Sequence, residues 1–179
     1  MKEKKQALRK INKLTMTALI IAAALVTFTI EAAIPPLTPI YGIKLGLSNV
    51  FTLVAIYLLG VKSGAMVLFI RITLGSLLAG QIMSYAYSFA GGLLSFLVML
   101  ILVKLIPQKQ LWVSSAISAV FHNVGQIIVA IAFTQTIQII YYLPVLIISG
   151  LITGAFTGFC ATLVINKLNH FSNVTDKKK

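Results

Sequence analysis

The residues that could do chemistry in this 179-residue chain are a few polar side chains set inside long apolar segments. Glu31, Arg71 and His122 are the ionisable ones, and Asn123 and Gln126 accompany His122. An ionisable group at the centre of a bilayer costs roughly 3 kcal/mol or more unless it meets a partner or water. His122 and Gln126 are spaced i, i+4 and therefore share one face of a helix. This pattern predicts a polar centre inside an apolar bundle.

Two interpretations of this polar centre remain open. In the first, Glu31 and Arg71 form a structural ion pair, and the imidazole and amides hydrogen-bond between helices, as such groups commonly do in membranes. In the second, the same groups line a ligand pocket in which cationic side chains bind an anionic group and the others donate hydrogen bonds. The ligand-binding residues predicted in this way are Glu31, Lys44, Asn49, Arg71, His122, Asn123 and Gln126.

The scarcity of acidic residues excludes several reaction types. Glu3, Glu31 and Asp176 are the only acidic residues in the sequence, and two of them lie in the terminal segments. Aspartate clusters that hold Mg²⁺ on a diphosphate, a Walker A loop with its acidic partner, and paired catalytic carboxylates are all missing. The single Cys160 also rules out an intramolecular disulfide or a cysteine metal cluster. The sequence therefore predicts a protein that is not an enzyme and that needs no cofactor.

The composition predicts an all-α membrane protein, a compact bundle of six transmembrane helices. Hydrophobic residues make up 59% of the chain and charged residues only 10%, which is too little polar surface for a soluble globule. The first apolar run resembles a signal peptide, but it is long enough to span a bilayer and further spans follow it. The predicted spans are residues 14–34, 46–60, 65–79, 89–105, 111–133 and 139–165.

The net charge of +12 is concentrated at the two ends of the chain. Six basic residues precede the first span and four follow the last, a distribution that favours contact with lipid headgroups over contact with nucleic acid. We expect a single domain with basic tails at 1–13 and 166–179 around a bundle at 14–165. The positive-inside rule then places both termini in the cytoplasm of a cell-membrane protein, and the predicted pocket opens outward.

Glycines punctuate the second and third predicted spans, which are short. Gly46, Gly60, Gly64, Gly75 and Gly80 lie in or beside them. Short spans rich in glycine either pack closely or line a cavity, and the sequence does not choose between these two roles.

Five segments of the chain resemble one known family. They are residues 31–36 (EAAIPP), 43–53 (IKLGLSNVFTL), 71–80 (RITLGSLLAG), 88–95 (SFAGGLLS) and 118–126 (SAVFHNVGQ). Together they resemble the Gx transporter family, also labelled heptaprenyl diphosphate synthase component I, over about residues 14–165.

The resemblance implies a fold and a function. The family is similar to the substrate-binding (S) components of energy-coupling factor transporters, six-helix proteins that bind a vitamin-like ligand outside and depend on an ATP-driven module. In those components an Ala-x-x-x-Ala face of the first helix contacts the transmembrane subunit of the module. Ala18 and Ala22 have that spacing here. Ser95, at the end of the fourth segment, joins the predicted ligand-binding residues on the same basis.

Two functions follow as hypotheses. The first is an S-component-like uptake protein that captures a small anionic or amphipathic ligand, similar to a vitamin, a flavin or a prenyl quinone. The second is a non-catalytic accessory membrane subunit in flavin-based extracellular electron transfer or in heptaprenyl diphosphate and prenyl-quinone metabolism. The expected partners are the lipid bilayer, a small-molecule ligand and an ATP-driven energising module, with no nucleic acid.

Overall fold

The structure, a computed structural model, describes residues 2–34, 46–78, 80 and 82–176, and these residues form six α-helices without a β-strand. The predicted all-α bundle of six helices is confirmed. Short 3₁₀ turns at Gln108–Gln110 and Ile137–Tyr142 precede the fifth and sixth helices. The helices are α1 (Lys2–Ala33), α2 (Asn49–Leu59), α3 (Val61–Leu78), α4 (Ile82–Leu105), α5 (Leu111–Thr134) and α6 (Leu143–Asp176).

Five of these helices are long and apolar enough to cross a membrane, so the chain is a multi-pass membrane protein. The exception is α2, whose 11 residues span about 16 Å, whereas the hydrocarbon core of a bilayer is about 30 Å thick. About a fifth (22%) of the α1 and α6 spans is buried, against 44% of the α3 and α5 spans. The outer faces of α1 and α6 are therefore the most open to lipid.

The helices extend beyond several of the apolar runs that predict them. α1 begins at Lys2 and α6 continues to Asp176, because the flanking segments contain no proline or glycine to end a helix. α4 begins at Ile82 rather than at residue 89, because the intervening residues include serines that lower the hydropathy without opposing a helix.

The short helix α2 lies inside the bundle. Residues 52–56 of α2 are all buried, and five successive residues cover the whole circumference of a helix. α2 packs against α1, α3 and α6. It joins α3 through Gly60 alone, whose φ of +92° is a conformation that side chains with a Cβ rarely adopt. An interior helix that covers half the membrane thickness therefore begins within the bundle.

A stripe of small residues joins α6 to α5. Gly150, Gly154 and Gly158 repeat every four residues and share one face of α6. A Cβ at Gly154 would lie 2.7 Å from the Cα of Ala116, and one at Gly158 would meet the backbone of Trp112. The stripe is the small-xxx-small arrangement that lets two helix backbones approach closely in a membrane. This packing fixes the position of α5, the helix that carries His122.

Candidate functional site

The carboxylate of Glu31, in the last turn of α1, caps the start of α2. It accepts hydrogen bonds from the backbone N–H of Gly46, from that of Leu47 at 3.2 Å and from that of Ser48 at 3.4 Å. The Ser48 hydroxyl donates to it at 3.3 Å. The first N–H groups of a helix have no partner within the helix and carry a partial positive charge, which a carboxylate stabilises. Ser48, the residue before α2, does not cap the helix with its own side chain. Glu31, which is distant in the sequence, forms the cap instead.

The guanidinium of Arg71, on α3, reaches the same helix start. Arg71 is only 2% exposed; its Nη1 donates to the Ser48 hydroxyl and its Nη2 to Oδ1 of Asn49 at 2.8 Å. Nε of Arg71 and Nδ2 of Asn49 are buried, and neither has a hydrogen-bond partner among the residues described. The site therefore holds more buried donors than the acceptors around it use.

Ser48 links the two opposite charges. Its hydroxyl donates to the Glu31 carboxylate and accepts from the Arg71 guanidinium, so the contact between the charged groups passes through one oxygen atom. The sequence predicts that Glu31 and Arg71 could form a structural ion pair, but it does not indicate that a serine lies between them. The two charges nevertheless compensate each other in the interior, where the removal of a lone charge from water would be costly.

His122 and Gln126 lie on the other side of Gly46. Nε2 of Gln126 lies 3.1 Å from Nε2 of His122, and both residues are buried. An amide nitrogen only donates, so in this arrangement Nε2 of His122 accepts. A Cβ at Gly46 would lie 3.3 Å from Cδ2 of His122 and 2.8 Å from Nδ2 of Asn49. Gly46, with φ of +79°, is thus the point at which Asn49 meets His122. His122 lies half-way along α5.

Asn123 faces away from this centre. Its Nδ2 donates to the backbone carbonyl of Leu146 on α6 at 2.5 Å, and Gly150 packs against the same amide. The adjacent position in the sequence places the side chain about 100° around the helix from His122. The structure therefore separates Asn123 from the other predicted ligand-binding residues and places it in the interface between α5 and α6.

Ser95, on α4, lines a small polar cavity beside Asn49. The cavity leaves about 10 Å³ for the centre of a water molecule, which is about the room that one buried water needs. Hydroxyls from α5 and α6 complete its wall, and two of them, Ser115 and Thr157, lie 3.1 Å apart. The polar interior is therefore closely packed. The cavity is lined by Gly46, Asn49, Ser95, Met99, Ser115, Ser118, Ala119, Thr153, Gly154 and Thr157.

Several residues of the site were not singled out from the sequence. Ser115, Ser118, His122 and Gln126 are spaced i, i+3, i+7 and i+11, and all four are buried. This spacing marks one polar stripe along α5, so the two serines could have been predicted from it. Ser48 carries no comparable signal, because its role depends on the approach of α1 and α3 to the start of α2. The sequence marks Gly46 only as one of the glycines in the short spans, and its contacts with Asn49 and His122 depend on how α5 packs beside the start of α2.

The remaining predicted residues fall into two groups. Lys44 lies outside the described residues, so it stays a prediction. Ala18 and Ala22 are exposed on α1, on the face that carries the exposed side chains of Leu14 and Val26. This face is open to lipid or to another helix.

A second, larger cavity lies between the ends of α3 and α4. It is an apolar crevice of about 470 Å³, and none of its described lining residues belongs to the polar centre. They are Thr73, Ser76, Leu77, Gly80 and Tyr85. Within the described part of the chain, no group of three His, Cys, Asp or Glu residues is placed to hold a metal ion.

Comparison with known proteins gives a family. A family model described as heptaprenyl diphosphate synthase component I matches residues 20–164. The chain belongs to that family. The matched range contains the polar centre and all six helices at least in part, and the resemblance to this family inferred from the five sequence segments is confirmed. No curated protein and no solved structure matched the chain.

The polar centre contains hydrogen-bond donors that no described residue uses. Its described side chains comprise one carboxylate, one guanidinium, an imidazole, two amides and several hydroxyls. Surplus donors cluster where Arg71 meets Asn49, and the Glu31 carboxylate is already saturated by four hydrogen bonds. The arrangement suits recognition of an oxygen-bearing group.

Proposed function

We propose that this protein is a substrate-binding membrane component that captures a small anionic or amphipathic ligand at its polar centre and takes part in its uptake. The ligand class is one with acceptor oxygens, as in vitamins, flavins and quinones. The predicted ligand-binding residues that meet around Gly46 are those we assign to the ligand: Glu31, Asn49, Arg71, His122 and Gln126, with Ser95 beside them. Lys44 remains a predicted source of positive charge.

The observation that carries the proposal is the surplus of buried donors. A buried N–H without an acceptor costs about 1–3 kcal/mol, and natural proteins rarely leave one so. Arg71 Nε and Asn49 Nδ2 are two such donors within one site among the described residues. A ligand that brings acceptor oxygens would satisfy both, and the charge of Arg71 would favour an anionic oxygen.

The proposal includes an orientation and a partner. The basic ends of the chain favour termini in the cytoplasm, which makes the end of α1 that carries Glu31 the outer end. The exposed Ala18 and Ala22 are the proposed contact with the transmembrane subunit of an ATP-driven module, because small residues let a second helix approach closely. The protein itself would bind and release the ligand without changing it.

A second candidate function is a non-catalytic accessory membrane subunit of prenyl-quinone metabolism or of extracellular electron transfer. The description of the family as component I favours it, because that description implies a further component. In this case the polar centre would only hold the helices together. The exposed face of α1 would then bind a dedicated protein partner.

Native mass spectrometry of the protein purified in mild conditions tests both candidates. We expect a bound small molecule in the wild type and its loss in Arg71→Gln. Lys104→Gln is the matched control, because it removes an equally positive side chain that is exposed at the end of α4. The control should keep the ligand.

The outcomes separate the two functions. Equal ligand occupancy in the wild type and in Arg71→Gln would contradict binding at the polar centre. Recovery of a stoichiometric protein partner with no small molecule, from cells grown under several conditions, would favour the accessory subunit instead.

A further inference from the structure

The start of α2 is built as a binding position for an anion. Three consecutive backbone N–H groups, those of Gly46, Leu47 and Ser48, point to one place, and the Ser48 hydroxyl adds a fourth donor. Such convergence of N–H groups at a helix start binds carboxylates and phosphates in many proteins. Here the position is filled by a carboxylate that belongs to the protein itself, that of Glu31.

The hydrogen bonds of Arg71 are an independent indication that donors at the start of α2 remain unused. The fork of a guanidinium matches a carboxylate with two parallel hydrogen bonds. Arg71 instead gives Nη1 and Nη2 to two neutral acceptors, the Ser48 hydroxyl and Asn49 Oδ1, and its Nε has no partner among the described residues. Only 2% of this side chain is exposed. A carboxylate shifted from the position of Glu31 toward Arg71 could contact the helix start and the guanidinium together.

We infer that the start of α2 is a carboxylate-binding position which Glu31 occupies in the absence of ligand, and that the carboxylate of the ligand replaces Glu31 there. The replacement of Glu31 by a ligand carboxylate rests on the proposed function. It changes the role of Glu31 from a ligand contact to an internal competitor. Replacement would break all four hydrogen bonds from the α2 start to Glu31, so ligand binding would also release the outer end of α1 from α2.

The inference is tested first by refilling the position. In lipid nanodiscs, Glu31→Ala should lower the melting temperature by about 10 °C, because it leaves the buried charge of Arg71 uncompensated. Acetate should restore most of this loss, whereas acetamide, which has the same shape and no charge, should not. Glu3→Ala is the control, since it removes the exposed glutamate at the other end of α1. Neither acetate nor acetamide should change its melting temperature. Equal effects of acetate and acetamide, or rescue by phosphate alone, would overturn the carboxylate assignment.

A titration with ¹³C-acetate tests the competition and does not require Glu31→Ala to fold. In Glu31→Gln the occupant loses its charge, so we expect acetate to bind about tenfold more tightly than in the wild type, as when a site filled nine-tenths of the time becomes free. Glu3→Gln should bind acetate as the wild type does. If Glu31 is a fixed helix cap, the glutamine stays in place, acetate affinity does not change, and the inference is wrong.

The two proposals fail in different ways. If no small molecule co-purifies with the protein, the proposed function is contradicted, while the acetate titration still decides whether the α2 start is an anion position. If Arg71→Gln loses its ligand but Glu31→Gln does not bind acetate more tightly, the proposed function stands and the exchange of Glu31 is wrong.

Discussion

Three residues, one each from α1, α3 and the turn before α2, decide how this protein keeps charge inside an apolar bundle. Glu31, Ser48 and Arg71 form one chain of hydrogen bonds in which the serine hydroxyl serves both charged groups. Among the residues that the structure describes, removing either charge would leave the other buried without compensation, which is far more costly than loss of an exposed ion pair. The stability of the centre and the proposed ligand binding therefore depend on the same atoms.

Ser48→Ala should destabilise the protein by about 1–3 kcal/mol, because it removes a hydrogen-bond partner from both Glu31 and Arg71. Ser114→Ala is the matched control. Ser114 is fully buried, and its hydroxyl has no hydrogen-bond partner among the described residues, so its loss should cost little. Thermal unfolding of both variants in nanodiscs measures the difference. Equal losses would contradict the role given to Ser48.

Asn123→Ala should lower the stability without lowering ligand occupancy. Its amide joins α5 to the carbonyl of Leu146, and interhelical hydrogen bonds in membranes contribute about 0.6 kcal/mol on average, with a maximum near 1.7. Native mass spectrometry of Asn123→Ala beside Arg71→Gln separates the two roles. Loss of ligand from Asn123→Ala while the fold is retained would return Asn123 to the binding site.

The predictions from the sequence agree best with the structure at the level of the helices. The sequence predicts six spanning helices, and five of the six are long and apolar enough to cross a membrane, since length and hydropathy alone decide whether a segment can cross a bilayer. The interior position of α2 could not be read in the same way. A helix that is apolar on every side looks like a short span in sequence, and only its contacts show that other helices surround it.

Part of the site was also predictable. The polar types of Glu31, Arg71, His122 and Gln126 indicate a polar centre because lipid does not tolerate them alone. Their connections depend on long-range approach, as when Gly46 brings His122 and Asn49 together. The separation of Asn123 from His122 follows from the helical step of about 100° between adjacent residues.

Gly154→Ile should separate α5 from α6 and destabilise the protein by about 2 kcal/mol or more, because the added side chain overpacks the interface. A Cβ at this position would lie 2.7 Å from the Ala116 Cα, and backbone atoms cannot move aside as a side chain can. Ala22→Ile is the control, because Ala22 is exposed on α1. Thermal unfolding should show a large loss for the first variant alone. Equal stability of the two would contradict the close packing described for α6.

At the scale of the whole molecule, the protein is a lipid-facing bundle around a small polar centre. Large apolar side chains such as Leu19, Val26, Leu77 and Phe156 are exposed, as expected where the solvent is lipid. The side of the membrane from which a ligand would reach the centre depends on the orientation of the protein in the membrane. The distribution of basic residues predicts that the connection between α5 and α6 is external.

Cysteine labelling checks this orientation. In a Cys160→Ser background, Gln138→Cys should react with a membrane-impermeant maleimide added to intact cells, and Lys109→Cys should react only after the cells are opened. Both positions are exposed in the structure, one at each end of α5. The reverse pattern would place the termini outside and would contradict the proposed direction of uptake.

An experimental density map of the protein, purified with its natural ligand in nanodiscs, would show directly whether the polar centre binds that ligand. We predict density for an oxygen-bearing group within hydrogen-bond distance of Arg71 Nε and Asn49 Nδ2, at the start of α2. Density confined to the crevice between α3 and α4, with Arg71 contacting only protein atoms, would contradict the assignment of the polar centre as the binding site.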